Sequence, residues 1–158
     1  MVFNKEKAPT EPIEFLKWYY EKADWDSERD YNDIKGTYQP LADFFKEIIK
    51  EYPAMNGVYA PTDEEIENNI ESEDKLTDYT IDDDLIYMAF AWSEADNACK
   101  RVKELAYKNG LGYFDMFRVH LDKETVIDIP QIRREELNRG EKKQESGVRG
   151  FFDRLFGK

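Results

Sequence analysis

The chain has too few cysteines and histidines for several kinds of site. Of its 158 residues, one is a cysteine, Cys99, and one is a histidine, His120. A single cysteine allows no internal disulfide bond. With one cysteine and one histidine, the chain also cannot form zinc sites built from four cysteines or from two cysteines and two histidines. One reduced cysteine fits the cytosol, and we expect a cytoplasmic protein.

Motifs that would indicate an enzyme or a membrane segment are missing as well. The sequence contains no Walker phosphate-binding loop and no Gly-x-Ser-x-Gly nucleophile elbow. No apolar stretch is long enough for a signal peptide or a membrane span. We therefore predict no catalytic residue, no metal ligand, no cofactor and no membrane partner.

Carboxylates, in contrast, are present in large excess. The chain has 35 acidic and 23 basic residues, which gives a net charge of −12. Residues 131–158 carry eight bases and five acids, so residues 1–130 carry 15 bases and 30 acids, a net charge of −15. Nucleic-acid binding needs clustered Lys and Arg, so we expect no nucleic-acid partner. A body of this charge attracts cationic proteins.

Hydrophobic periodicity predicts an α+β fold. Strands are predicted at 2–4, 77–81, 85–92, 113–117, 119–121 and 125–129, and a turn at 82–84 makes the second and third a hairpin. Helices are predicted from Pro12, with Thr10 as cap, from Pro40 to Tyr52, and from 95 to 109, with Ser93 as cap. Cys99, Trp18 and Trp92 lie in apolar patterns, which predicts that they are buried.

The order strand, helices, strand, strand, helix, strand is that of a split β-α-β, or ferredoxin-like, sandwich. In such a sandwich an antiparallel sheet carries its helices on one face. We predict a single α+β domain over residues 1–130 and a charged linker with an amphipathic C-terminal helix over 131–158. Five apolar residues share one face of that helix and should dock on the domain or on a second copy: Val148, Phe151, Phe152, Leu155 and Phe156.

Two acidic regions are the candidate surface for a partner. Residues 61–84 hold eleven acids and one base and are predicted to be mostly solvated loop with Thr62 as a helix cap, and a second cluster follows the first helix. Trp25 stands between two acids of that cluster, where it could anchor a partner or pack back on the helix. The predicted contact residues are Trp25, Asp24, Asp26, Glu71, Glu73, Asp74, Asp78, Asp82, Asp83 and Asp84.

The same carboxylates also permit an alternative hypothesis of metal or acid–base chemistry. Asp24-x-Asp26-x-Glu28-x-Asp30 resembles the opening of a calcium loop, but Arg29 and Lys35 replace the required Gly and Glu, which favours a solvated loop. A carboxylate- or metal-dependent enzyme would need several acids around one cleft. The residues available for it are Asp78, Asp82, Asp84 and Asp115.

Several short stretches resemble a known family. They are Phe15–Lys22 (FLKWYYEK), Pro53–Gly57 (PAMNG) and Tyr87–Ala95 (YMAFAWSEA), together with Thr77–Tyr79 and Gly112–Asp115. They resemble small acidic bacterial proteins of the kind found beside secreted toxin systems, over residues 2 to 115. The resemblance implies no catalytic residue. The net charge of −15 on residues 1–130, the acidic segment 61–84 and the missing catalytic motifs favour a non-enzymatic module of the immunity or antitoxin type whose acidic surface masks a basic partner. A homodimer built through the tail is a further alternative.

Overall fold

The chain forms an α+β fold, which the computed structural model describes over residues 1–69 and 73–137. The strands in these ranges are β1 (Val2–Phe3), β2 (Asp78–Ile81), β3 (Leu85–Ala89), β4 (Gly112–Phe114), β5 (Arg118–His120) and β6 (Val126–Asp128). The helices are α1 (Pro12–Lys22), α2 (Gln39–Ile48), α3 (Asp63–Asn69), α4 (Ala95–Lys108) and a 3-10 helix (Glu73–Lys75). The predicted α+β class is confirmed, whereas the predicted C-terminal helix lies outside the described residues.

Local chemistry explains where the helices begin. Pro12 opens α1, where its missing N–H is not needed. The side chain of Glu11, not the predicted Thr10, accepts the capping hydrogen bond from the Glu14 backbone N–H at 2.9 Å. Helix α2 has the strongest amphipathic pattern, and its apolar spacing buries Leu41, Ala42, Phe44, Phe45 and Ile48.

Part of the acidic segment is helical. Thr62 and Glu65 form a capping box at the start of α3, in which each side chain accepts a backbone N–H of the other, at 3.3 and 2.8 Å. The predicted Thr62 cap is confirmed. The prediction of mostly loop fails for Asp63–Asn69 because this cap and the acidic first turn both favour a helix.

All neighbouring strands are antiparallel, and the sheet order is β2-β3-β1-β4-β5-β6. The central strand β1 has two residues: Val2 pairs with Ile86 and Tyr113, and Phe3 pairs with Leu85 and Gly112. The β2–β3 hairpin and the three strands β4, β5 and β6 are therefore joined through a very short strand.

Helices cover both faces of the sheet. On one face, α2 and α4 pack against Val2, Ile86 and Tyr113; on the other, α1 packs against Phe3, Leu85 and Phe114. Successive strand residues point to opposite faces, so both cores share the same strands. The prediction that the helices share one face is therefore wrong, because the apolar strand residues supply two hydrophobic surfaces that each need a cover.

The described part of the predicted linker packs onto the domain. Ile132 and Leu137 lie against the α1-side core, and the Tyr20 hydroxyl donates to the Ile132 carbonyl oxygen at 3.2 Å. Arg134 forms a two-pronged ion pair with Asp24. These contacts extend the packed body to Leu137.

Candidate protein-binding surface

The three acids of the β2–β3 turn are engaged within the chain. Asp82 accepts from the Lys22 ammonium group at 3.1 Å, Asp83 pairs with Arg29, and Asp84 accepts from the Asn4 side-chain amide at 3.1 Å. Their partners stand 54 to 80 positions away in the sequence. The turn therefore acts as a junction that ties the chain together, although Asp83 remains largely exposed.

Arg29 is the centre of that junction. Its guanidinium group donates to the carbonyl oxygens of Ile81 at 2.9 Å and of Asp33 and Lys35 at 3.2 Å, and to the Thr37 hydroxyl at 2.6 Å. Only 14% of its side chain is exposed. The planar fork of an arginine suits such a cluster of acceptors. This residue, which fails the calcium-loop pattern, instead holds the loop against β2.

The loop after α1 places Trp25 among other aromatic rings. Trp25 is half-buried, with ring centroids 5.6 Å from Tyr31 and 6.3 Å from Tyr87, and its φ of 48° marks a tight turn. Asp24 accepts from Arg134, whose hydrogen bond lowers the pKa of that carboxyl group. Trp25 was predicted either to anchor a partner or to pack back against the domain, and the structure shows it packed against the domain.

Acids from the two predicted contact regions, the loop after α1 and the β2–β3 turn, lie next to each other. Asp26, Asp82 and Asp83 line one open cavity of about 360 Å³. Glu21 and Glu28 line it too, with Lys22 and Arg29, so five acids face two bases, and the two bases pair with Asp82 and Asp83. The cavity is therefore a mixed polar site that keeps an excess of carboxylates.

Trp92 is the most exposed large apolar residue of the described chain. Its side chain is 96% exposed, although its position at the end of an apolar run predicted burial. The reason is that β3 ends at Ala89 and the chain then leaves the sheet before α4 begins at Ala95. An indole ring in water is unusual enough to mark a contact surface.

Carboxylates surround the loop that carries Trp92. Ser93, predicted as a helix cap, instead donates to Asp74 at 2.7 Å, which brings the 3-10 helix beside this loop. Asp78 pairs across the sheet with Ala89, at the end of β3 that leads into the loop. We call the following residues the Trp92 surface: Trp92, Ser93, Glu73, Asp74, Asp78 and Asp96.

Four residues of the Trp92 surface, Asp78, Trp92, Ser93 and Asp96, lie in a stretch of the sequence that is free of positive charge, and Lys75 directly follows the other two. No Lys or Arg occurs between Lys75 and Lys100 in the sequence. Glu73, Asp74, Asp78 and Asp96 are all exposed. Three of the predicted contact acids, Glu73, Asp74 and Asp78, therefore lie close to the loop that carries Trp92, a residue predicted to be buried. Glu71 lies outside the described residues, as do Val148, Phe151, Phe152, Leu155 and Phe156.

A second polar cluster lies under α4. His120 is buried, with one ring nitrogen 3.2 Å from the Asp115 carboxylate and the other 3.3 Å from the Tyr107 hydroxyl. Burial alone would raise the pKa of Asp115, but hydrogen bonds from the Phe117 and Arg118 backbone amides and from His120 lower it overall. The cluster is a satisfied buried network of the structural kind.

The acids proposed for the alternative enzyme do not share a cleft. Asp78 lies on edge strand β2 and Asp115 follows β4, with β3 and β1 between these strands. Asp82 and Asp84 are bound to Lys22 and Asn4. Over residues 1–69 and 73–137, no three His, Cys, Asp or Glu side chains come together as ligands for a metal ion. Cys99, predicted to be buried, is exposed.

A large groove lies between α2, α3 and the 3-10 helix. Its volume is about 800 Å³, and it is lined by apolar side chains that include Ile49, Val58, Tyr59, Ile66 and Leu76. Acids and two lysines stand among them. Glu73 lines the groove and precedes Asp74, so the groove adjoins the Trp92 surface.

Comparisons with known proteins add no relative. A scan against protein-family models, a search of curated proteins and a search of solved structures found no match to this chain. Among the helices that the structure describes, none has both the length and the apolar character needed to span a bilayer.

Proposed function

We propose that this chain is a non-enzymatic protein-binding module that uses the Trp92 surface to contact a basic partner. The observation that carries the proposal is the 96% exposure of Trp92 beside a cluster of exposed carboxylates. Tryptophan is enriched among residues that dominate binding energy, because it buries a large rigid surface at low entropic cost.

The chemistry of the Trp92 surface suits a lysine or arginine on the partner. A guanidinium or ammonium group can lie over the indole ring while neighbouring carboxylates balance its charge. Residues 1–137 carry a net charge of −15, since residues 131–137 add two bases and two acids. Such a field steers a cationic partner and raises its association rate.

We further infer a bacterial, cytoplasmic module of the immunity or antitoxin type. A nuclease toxin needs a cationic cleft to hold phosphate, and an acidic surface with a protruding aromatic ring complements such a cleft. In this role Glu73, Asp74 and Asp78 face the partner. Asp82, Asp83 and Asp84 have their main role in supporting the loop that Arg29 holds.

For the architecture we propose the ferredoxin-like arrangement for β1 to β4 with α2 and α4. The strand order β2-β3-β1-β4 and the contact of both helices with one core support this assignment. In it, β5, β6 and α1 are additions that enlarge the sheet and cover its other face.

The proposal predicts a specific loss of binding on removal of Trp92. A partner is first captured from the native cells at low salt, and its affinity for the wild type and for Trp92→Ala is then measured by calorimetry. We expect Trp92→Ala to weaken binding by about tenfold or more, which corresponds to about 1.4 kcal/mol or more. Because Trp92 is 96% exposed among the described residues, its loss should change the free energy of unfolding by less than about 0.5 kcal/mol.

Val126→Ala is the matched control. Val126 is 43% exposed on edge strand β6, which β1, β4 and β5 separate from β3, so its removal should leave binding unchanged. Replacing Asp74 and Asp78 with Asn should slow association and reduce its salt dependence. A cognate complex that forms without salt dependence and leaves Trp92 exposed would overturn the proposal.

A further inference from the structure

The groove between α2, α3 and the 3-10 helix has an apolar floor that the described residues leave uncovered. Val58, at its rim, is 73% exposed, and neighbouring Met55 is 51% exposed. Tyr59 is held in place from behind, since its hydroxyl donates to Asp33 at 3.0 Å. A preformed groove of about 800 Å³ with such a floor suits large apolar side chains.

We propose that this groove binds residues 148–156 of the same chain. Val148, Phe151, Phe152, Leu155 and Phe156 fall at i, i+3, i+4, i+7 and i+8. This is the spacing with which an amphipathic helix lays one apolar face into a groove. A helix of this length is about 14 Å long, so its four largest side chains would enter the groove within two to three turns.

Charge favours the same pairing. The segment carries Arg149 and Arg154 against Asp153, a net charge of +1, and Lys158 follows it. Glu65 and Glu73 line the groove with Lys50 and Lys75, Glu51 is paired with Arg101, and the acidic excess on this side comes from the exposed acids of α3. A basic helix therefore meets an acidic rim around an apolar floor, which is complementary both in polarity and in sign.

The connecting chain is long enough for this contact within one molecule. The described chain ends at Leu137 on the α1 side of the sheet, whereas Ile49 and Tyr59 of the groove pack on the α2–α4 side, so the connection has to pass around the body. Residues 138–147 can span about 33 Å when extended. A packed body of this size has a radius of gyration of about 14 Å.

Disulfide trapping in the full chain tests the contact. In a Cys99→Ser background, Val58→Cys and Phe152→Cys are combined, and the rate of disulfide formation under mild oxidation is followed on gels. The control combines Phe117→Cys with Phe152→Cys. Phe117 is also exposed, and its carbonyl oxygen accepts from the Ile129 amide, closer to the start of the tail. Docking should make the Val58 pair react about tenfold faster, within one molecule.

Two results would overturn the proposal. Equal rates for the two pairs would show that the tail visits the groove only by random collision. Disulfide-linked dimers would assign the groove to a second copy of the chain. The groove and the Trp92 surface share Glu73, but Trp92, Asp74 and Asp78 do not line the groove. Neither result therefore bears on the role of Trp92, and the two proposals fail separately.

Hydrogen exchange supplies a second measurement that does not depend on new cysteines. Phe152→Asp with Phe156→Asp places charge on the docking face but changes no residue of the described body. We expect backbone amides of residues 57–66 to exchange faster in this variant than in the wild type, while those of β5 stay unchanged. Unchanged exchange over 57–66 would contradict the docking.

Discussion

At the scale of single residues, Arg29 joins three parts of the chain through one guanidinium group. It contacts the loop at Asp33, Lys35 and Thr37, the end of β2 at Ile81, and the turn at Asp83. Hydrogen bonds to a charged donor contribute more than neutral ones, and their loss leaves part-buried carbonyl groups unpaired. The loop that carries Trp25 depends on this residue for its position.

We expect Arg29→Met to lower the free energy of unfolding by about 2–4 kcal/mol, because several part-buried acceptors lose their donor at once. Urea unfolding at neutral pH measures the change. Arg118→Met is the control, since Arg118 is 57% exposed and lies 4.0 Å from a nearly fully exposed Asp128. The Arg118→Met substitution should lower the free energy of unfolding by less than about 0.5 kcal/mol. Equal losses in the two variants would contradict the role given to Arg29.

Asp115 should make the stability of the fold depend on pH. Its pKa is lower in the folded chain than the ordinary value of 3.8, because backbone amides and His120 outweigh the opposing effect of burial. A lowered folded pKa gives stability that is complete above the unfolded value and is lost as the pH falls through the folded value. The effect therefore lies below about pH 5.

Asp115→Asn isolates this contribution. We expect the variant to be less stable than the wild type by about 1–3 kcal/mol at pH 7, because the charged acceptor of two backbone amides is gone. The difference should shrink as the pH falls from about 5 to about 2, when the wild-type carboxylate gains a proton. Urea unfolding across this range measures it, and a constant difference would contradict the folded-state pKa.

At the scale of elements, the two halves of the sheet depend on β1 and on the glycine opposite it. A Cβ added at Gly112 would stand 2.3 Å from Cζ of Phe3, whose ring is fully buried. The backbone of β4 can approach β1 only because residue 112 has no side chain. This one contact fixes the geometry of the sheet at its centre.

Gly112→Ala should therefore lower the free energy of unfolding by about 1–3 kcal/mol through overpacking. Gly110→Ala is the comparison: its φ of +68° also disfavours alanine, at a cost of about 1 kcal/mol, but nothing lies within 4 Å of the added Cβ. A double-mutant cycle with Phe3→Leu separates the two. The smaller side chain should offset part of the loss at 112 and none at 110, and no coupling at 112 would refute the explanation.

Much of the element order could be predicted because apolar spacing is a local property. Leu41, Phe44, Phe45 and Ile48 predict α2 without any knowledge of their partners. Which face of the sheet a helix covers depends on residues that are distant in the sequence. For that reason α1 was predicted on the wrong face of the sheet. The run Leu85 to Met88 carries the missing signal, since four consecutive apolar residues need a cover on both faces.

The sequence predicts where the acidic segments lie, but it does not predict which of their carboxylates are paired within the fold. Counting carboxylates located the acidic segments, but Lys22, Arg29 and Asn4 bind the turn acids from 54 to 80 positions away, and no local pattern reveals that pairing. Trp92 stands at the end of an apolar run that predicts a strand. Its exposure follows from the end of β3 at Ala89, which depends on the pairing with β2.

At the scale of the whole molecule, the acidic body repels itself. Residues 1–137 have a net charge of −15 and residues 138–158 a net charge of +3. Self-repulsion of this kind destabilises the compact state and is weakened by salt. We expect the melting temperature to rise between about 0.02 M and 0.5 M sodium chloride, as calorimetry would measure.

Neutralising exposed acids should have the same effect as salt. Glu64 and Glu67 are exposed on α3 and make no ion pair with any residue in the described ranges. The variant Glu64→Gln with Glu67→Gln should melt higher than the wild type at low salt and respond less to added salt. A melting temperature that falls with salt would show that the ion pairs of the fold outweigh the repulsion.

The pairing of Val2 with Tyr113 also has a consequence for biosynthesis. On the ribosome, at ~5–20 residues per second, roughly 5–20 s separate the translation of these two partners. For that time the nascent chain carries the apolar pair Val2 and Phe3 without the strands that shield them. The sheet can close only when the last third of the body has emerged, so this protein should need chaperone protection until its translation is nearly complete.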